Sequence, residues 1–386
     1  PPTAPPAGTE GGAGDGRPVV RVGWLAPTLL DGQELALLEA VMEEAGGALE
    51  EQFPEFRWEH PLIRRPVYPP VGTLDPLALL ELGAEEKLLR GLDLVLVYVP
   101  NELLPRERSF VAGVPSSALE VAALSSARFQ DAPRPRRHLA SLALHLLGHL
   151  LGLEHRPTGV MRPTSEAGLI EALAFDAQER ERVRERLRAV ADQRVEERGA
   201  VPWPVFLWRT LLADPGGLLR GILRRAPWRL PLQLGRYTAA TAVTMIFLFL
   251  SAEAWELGAH LDGGWLAAGA VGVTLLATLA LYLGQNLHQM ARSATLREQL
   301  LRTQVMLFGT LLLAVVSLWA TLFLVGLAAM AAFPEEVFRS WAGSEEISLV
   351  RYASFMATLG VVAGALGGNL EEEEEIKAVL LFDEET

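Results

Sequence analysis

Four of the seven histidines fall between positions 138 and 155. Two of them frame the segment His145-Leu-Leu-Gly-His149, and His155 follows after Leu-Leu-Gly152-Leu-Glu. At a spacing of four, both imidazoles project from one face of a helix, about one turn apart, where two nitrogens can bind one metal ion. Gly152 can take a positive φ, end the helix and turn the chain back. That lets His155 supply a third nitrogen. Three histidines leave one tetrahedral position open, as a catalytic zinc ion requires. Beyond His155, Gly159-Val-Met161-Arg-Pro163 reads as a tight turn whose methionine gives the site an apolar floor. A histidine on an apolar helix is ordinarily a core residue. That explains one of the three, but not three together with Gly152 and Met161.

The elements around this segment read as a soluble α/β domain over 18–200. Val19–Leu25 is β-rich and runs into a proline, so it predicts a strand. Gln33–Leu49 has Leu35, Leu38, Val41, Met42, Ala45 and Leu49 at helical spacing. Phe56–Ile63 predicts a strand, Leu77–Leu89 a helix and Leu92–Val99 a buried strand. Ser109–Val114 and Ala118–Phe129 predict two more strands, and Arg137–Leu151 an apolar helix carrying the histidines. Alternating strands and helices predict an α/β sandwich around a mixed sheet. Further on, Asp176 and Glu179 have the spacing of a capping box, and Val183, Leu187 and Val190 share one face of the helix it opens. Residues 1–17 form a Pro/Gly/Ala-rich leader without the basic and apolar regions of a secretory signal.

The histidine–glycine–methionine pattern resembles the metzincin clan of zinc peptidases, whose signature is HExxHxxGxxH followed by a Met-turn. Within the clan it is most similar to the archaemetzincins, through the VYVP, SFVAGV and VAALSSARF segments as well as the histidine helix. The resemblance covers about residues 18–195. It implies a metzincin-like mixed sheet with a zinc-binding active-site helix, one zinc ion on His145, His149 and His155, a Met-turn at Met161 and peptide-bond hydrolysis. Two departures matter. The chain has no cysteine, so the second, structural zinc site of the archaemetzincins has no ligands. And Leu146 stands where the clan has the glutamate that takes a proton from zinc-bound water. Leucine cannot do this. Glu154, Glu166 and Glu171 are the nearby carboxylates that could approach instead.

Composition divides the chain. Half of the 386 residues are hydrophobic, but unevenly placed. Trp265–Gly284 carries no charge, Val305–Phe333 carries none over 29 residues, and Tyr237–Leu257 is apolar up to Glu253 and Glu256. Tyr352–Asn369 is shorter and rich in small residues. A bilayer-crossing helix needs about 20 apolar residues, so 237–369 predicts an all-α transmembrane domain of four spans: 237–257, 265–284, 305–333 and 352–369. Arginines flank these spans alternately: 201–236 holds six against one acid, and Arg292, Arg297 and Arg302 follow the second span, whereas Glu335, Glu336, Glu345 and Glu346 follow the third. By the positive-inside rule the N-terminal domain, the 285–304 loop and the C-terminus are cytoplasmic, on a bacterial or archaeal plasma membrane. The 201–236 segment mixes Trp203, Phe206, Trp208 and Trp228 with its arginines and reads as an amphipathic layer in the headgroups. Gly360, Gly364 and Gly368 stand four apart, a spacing that favours close helix packing and leaves a homo-oligomer open. The 370–386 tail opens with five glutamates, and its apolar Ala378–Phe382 stretch can dock on something.

A net charge of −13 argues against a nucleic-acid partner. The expected partners are a lipid bilayer and a protein or peptide substrate. Three readings follow: a membrane-anchored zinc metallopeptidase, impaired at its general base; a pseudoprotease that binds a peptide and acts as a membrane-associated regulator or scaffold; and a transporter with a regulatory soluble domain. The absence of mid-span charge in the first three spans counts against the last.

Overall fold

The structure is a computed structural model. It describes residues 16–67, 72–106, 111–129, 132–163, 171–196, 227–229, 235–284, 297–332, 348–368 and 381–383, with 334, 336, 337 and 341. The first nine residues of regular structure form β1 (Val19–Pro27), and α1 (Gly32–Gln52) follows. Asp31 starts α1 by accepting a 2.7 Å hydrogen bond from the Glu34 amide. Next come β2 (Arg57–Glu59), β3 (Leu62–Arg65), α2 (Pro76–Arg90) and β4 (Leu94–Val99). Asp75 caps α2, Pro76 opens it, and Gly91 ends it at φ 62°. Then β5 (Gly113–Ser116) and β6 (Val121–Ser125) precede α3 (Pro135–Leu150) and α4 (Ala177–Glu196). The capping box at α4 is reciprocal: the Glu179 amide donates to Asp176 Oδ1 at 2.7 Å, and the Asp176 amide to Glu179 Oε2 at 2.8 Å.

The strands order as β2-β1-β4-β6-β5, with β3 also paired to β1. All pairs are parallel except β5 with β6, so the sheet is mixed and β5 is its antiparallel edge. The strand expected over 56–63 is interrupted. Both halves keep one register on β1, Arg57 opposite Val19 and Leu62 opposite Trp24. The break falls at Pro61, which has no amide hydrogen to give the ladder. The hairpin after β5 lies further along the chain than expected, with β5 running to Ser116 and β6 starting at Val121. Residues Ser117–Glu120 form the turn, and Glu120 adopts φ 56° while its carboxylate holds Lys87 Nζ at 2.5 Å.

Each face of the sheet is covered, as parallel strands require. On one side Val20, Val22, Trp24, Leu96 and Leu124 pack with Leu38, Val41 and Leu49 of α1 and with Leu139, Leu142 and Leu146 of α3. On the other, Leu25, Val95, Val97, Val121 and Ala123 pack with Leu77, Leu80 and Ala84 of α2. Tyr98 ties the sheet to the start of α1: its hydroxyl donates to Glu34 Oε2, which Ser126 Oγ also reaches at 3.1 Å. Burial, then this bond, pushes the Tyr98 phenol far above its usual range. Burial lowers the His60 imidazole pKa, against the raising effect of Glu50.

The described parts of the apolar C-terminal half are mainly helical: α5 (Gly235–Leu250), α6 (Ala252–His260), α7 (Gly263–Gly284), α8 (Arg297–Ala331) and α9 (Leu349–Gly368). Three stretches, Gly263–Leu283, Leu307–Ala331 and Leu349–Leu366, are long and apolar enough to cross a membrane. The first expected span is not one straight helix: α5 and α6 meet at an 85° bend. Ser251 causes the break by leaving helical geometry and capping α6 through the Ala254 amide. Helix α9 packs against α5, α7 and α8, and a Cβ at Gly360 would lie 2.9 Å from Leu322 Cδ1. Gly360 therefore lets helices of one chain approach. Buried polar groups bond internally, with Tyr352 donating to the Leu248 carbonyl at 2.6 Å and Trp255 Nε1 to the Phe249 carbonyl at 2.9 Å. Many outward side chains are apolar, among them Ile246, Phe247, Leu276, Leu324 and Leu366.

Gly83 on α2 shows how closely the sheet is covered: an added Cβ would sit 2.5 Å from Val121 Cγ1 and 2.8 Å from Val97 Cγ2. Gly83→Ala is expected to destabilise the protein, the overpacking cost of about 1–3 kcal/mol exceeding the gain of about 1 kcal/mol in helix propensity. Thermal melts of the two proteins would decide, and a higher melting temperature for the variant would contradict the packing.

Candidate metal centre

Helix α3 is buried from His138 to Leu150. It lies between the sheet and the turn that carries Met161, so its position is set on two sides. It ends in a paired-bond cap. The Leu153 amide bonds the Gly148 carbonyl, and the Gly152 amide bonds the His149 carbonyl, both at 2.9 Å. These are the two bonds of a Schellman motif, which needs a left-handed residue between helix and exit. Gly152 fills that place at φ 85°. The chain turns back and brings His155 beside the helix.

The three imidazoles meet. His149 Nε2 lies 3.0 Å from His145 Nε2, and His155 Nε2 lies 3.4 Å from it. All three nitrogens fall within 4.8 Å of one another. The two helical rings are oriented from behind. His145 Nδ1 is 2.7 Å from the Val160 carbonyl, and His149 Nδ1 is 3.2 Å from the Leu153 carbonyl. A carbonyl only accepts, so each Nδ1 donates, and in the neutral imidazole its Nε2 presents a lone pair. Lone pairs facing one another repel unless a cation lies between them. Zn–N bonds of about 2.0–2.1 Å in a tetrahedron put ligand nitrogens about 3.3–3.4 Å apart, close to the spacing here. The donor set thus fits a zinc-type ion, with carbonyls holding the rings from behind as metal-binding histidines usually require.

The turn that carries Met161 also orients one of the histidines. Its Val160 carbonyl orients His145, and the Arg156 amide donates to the Met161 carbonyl at 2.8 Å, closing the turn that Gly159 enters at φ 84°. Met161 is fully buried and lies under Gly148. A Cβ at Gly148 would come 2.4 Å from Met161 Sδ and 3.2 Å from Phe175 Cε1. Gly148 is therefore a positioning residue that the spacing argument passed over. A signal was present, since a glycine inside an apolar helix is costly and needs a packing reason.

Leu146 follows His145 and is fully buried. It packs against the edge strand: a Cβ on Gly113 would lie 2.9 Å from Leu146 Cδ1. Among the described residues no carboxylate joins the three histidines in a metal-binding group. Glu154 is exposed beside His155. Glu171 is at the wrong end of α3. It lies 3.2 Å from Arg134 and 3.8 Å from His138, about 10 Å down the helix axis from His145. Glu166 lies outside the described residues. His138 packs on the Phe129 ring and stays apart from the metal centre.

No family model matches the chain, and neither does any curated protein. Among solved structures, archaemetzincin from Methanopyrus kandleri is similar at 21% identity, with 46% of this chain and 99% of that one covered and a TM-score of 0.36. A zinc-dependent peptidase from Methanocorpusculum labreanum (18% identity) covers 42% of this chain and 99% of its own at 0.33. The archaemetzincin from Archaeoglobus fulgidus, complexed with malonate, gives 17%, 42%, 99% and 0.33 in the same order. At these scores the chemistry of the site rests on the three imidazoles themselves.

Elemental analysis of the purified full chain should find about one zinc per molecule, lost to background in His149→Ala, which leaves two of the three nitrogens. Equal zinc in both proteins would remove the metal centre from consideration.

Proposed function

We propose that the chain is a membrane-anchored, metzincin-type zinc metallopeptidase in which Leu146 has replaced the general base, so that it binds peptides but hydrolyses them slowly or not at all. The convergence of three imidazole nitrogens on one point carries this reading. His145, His149 and His155 would hold the ion, with the Val160 and Leu153 carbonyls keeping the two helical rings in the binding tautomer. When bound, zinc would acidify a water in its fourth position and polarise a peptide carbonyl. The edge strand β5 offers backbone groups along which an extended peptide can lie. Leu146 accepts no proton, and the missing general base costs on the order of 10²–10⁴-fold in rate.

The packing of Leu146 favours a second reading. Its side chain belongs to the core shared by α3 and the sheet, as in a domain kept for recognition rather than turnover. This pseudoprotease would serve as a membrane-associated regulator or scaffold. Leu146→Glu separates the two. In the peptidase reading the variant retains zinc and cleaves members of a broad peptide library at least about 100-fold faster than the parent. Retained zinc with no cleavage would leave the recognition module.

Apolar outer surfaces on three helices of sufficient length support membrane anchoring. Helix α5, with 16 residues, reaches about 24 Å, close to the roughly 30 Å hydrocarbon core. The arginine flanks then assign the soluble domain to the cytoplasm. Because the chain has no cysteine, single cysteines report its topology cleanly. Asp262→Cys should react with an impermeant maleimide from outside intact cells, and Ser293→Cys only after permeabilisation. Protection of Asp262→Cys together with labelling of Ser293→Cys from outside would instead make α5 and α6 a re-entrant pair.

A further inference from the structure

The outer edge of β5 already carries a peptide, and the peptide belongs to this chain. The Asp383 amide donates to the Pro115 carbonyl at 3.0 Å. The Asp383 carboxylate takes two bonds back, from the Ser117 amide at 2.6 Å and from Ser117 Oγ at 2.9 Å. Beside it, the Phe382 ring lies 5.7 Å from the Arg106 guanidinium carbon. Leu381 is fully buried, in the apolar cluster that contains Val114 of β5. Each of three successive side chains therefore has its own seat: an apolar one for Leu381, a cation over a ring for Phe382, and a forked hydrogen-bond pair for Asp383. The contact joins residues 266 positions apart, so local chain geometry does not explain it.

Its place on the edge matters. Within β5, Gly113 lies against Leu146, next to the first metal-binding histidine of α3. Pro115 is two residues along, about 7 Å at strand spacing. A peptide of more than a few residues laid along β5 past the metal centre would run into the docked Asp383. We propose that the end of β5, with Ser117 and Arg106, is a docking site for a leucine–aromatic–aspartate segment, filled in cis by Leu381–Asp383, and that the docked tail blocks part of the edge to other extended peptides. The blocking half rests on the peptide-binding reading of that edge. The docking half does not.

A fluorescently labelled peptide with the sequence of residues 378–386, AVLLFDEET, tests this with full-length protein and with a chain ending at Lys377, both in detergent. The truncated chain should bind the peptide at least about tenfold more tightly than the full chain, whose own tail competes at high local concentration. The same peptide with Asp383→Asn should bind the truncated chain about tenfold or more weakly, because charge-assisted bonds to the carboxylate are lost. In the full chain, Asp383→Ala should speed hydrogen exchange at the Ser117 amide, a readout that does not depend on truncation. Equal binding to both chains, no binding to the truncated one, or unchanged Ser117 exchange would overturn the docking site. Zinc content measured on the same samples keeps the two readings apart. Full zinc with no tail binding sinks the docking site alone, and tail binding without zinc sinks the metal centre alone. In Leu146→Glu protein that cleaves peptides, removal of the tail should raise turnover, and unchanged turnover would overturn the blocking half.

Discussion

Two hydrogen bonds from imidazole to backbone carbonyl govern the centre of this molecule. With Nδ1 of His145 donating to Val160 and Nδ1 of His149 to Leu153, the proton is fixed on the outer nitrogen of each ring. The inner nitrogens are left as lone pairs pointing at each other. Such an arrangement is unfavourable empty of charge and favourable around a cation. It also ties three pieces of chain together. The helix supplies the rings, the cap after it supplies the Leu153 carbonyl, and the Met-turn supplies the Val160 carbonyl. Move any one and the nitrogens no longer converge.

Glycine does much of the remaining positioning. Gly152 lets the chain leave α3 and double back, Gly148 lets Met161 press on the helix from below, and Gly113 lets Leu146 approach the edge strand from above. The histidine helix is thus clamped between the sheet and the Met-turn with no side-chain volume to spare at either contact. In such a packed interior, volume changes are felt directly. Leu146 sits within that clamp as a core side chain, which is why its burial bears on whether the site turns over substrate.

The two halves of the chain cover their polar groups in different ways. In the α/β half, helices cover both faces of the sheet. In the apolar half, tyrosine, tryptophan and threonine groups satisfy one another or nearby carbonyls inside the bundle, while apolar side chains face outward. The bend at Ser251 shows the limit of hydropathy. An apolar run read as one span turns through 85° once a serine hydroxyl captures a backbone amide.

Helical and turn periodicities are local, and what depends on them was legible in the residues. The one-turn spacing of His145 and His149, the glycine that ends α3, the Met-turn and the capping box at Asp176 and Glu179 all follow from chain geometry within a few residues. The break at Pro61 was equally local, though the alternating pattern hid it. Other features required the tertiary structure, because they join residues far apart in sequence. Glu171 pairs with Arg134 at the far end of α3, 37 positions away in sequence. Leu146 is buried because the edge strand packs on its face of the helix. The tail meets β5 because an antiparallel edge strand leaves an outward carbonyl at Pro115 for the Asp383 amide. Residue spacing determined which nitrogens can share an ion. Only the packing of helix, sheet edge and tail decided what surrounds them, because long-range contacts are set by topology rather than by periodicity.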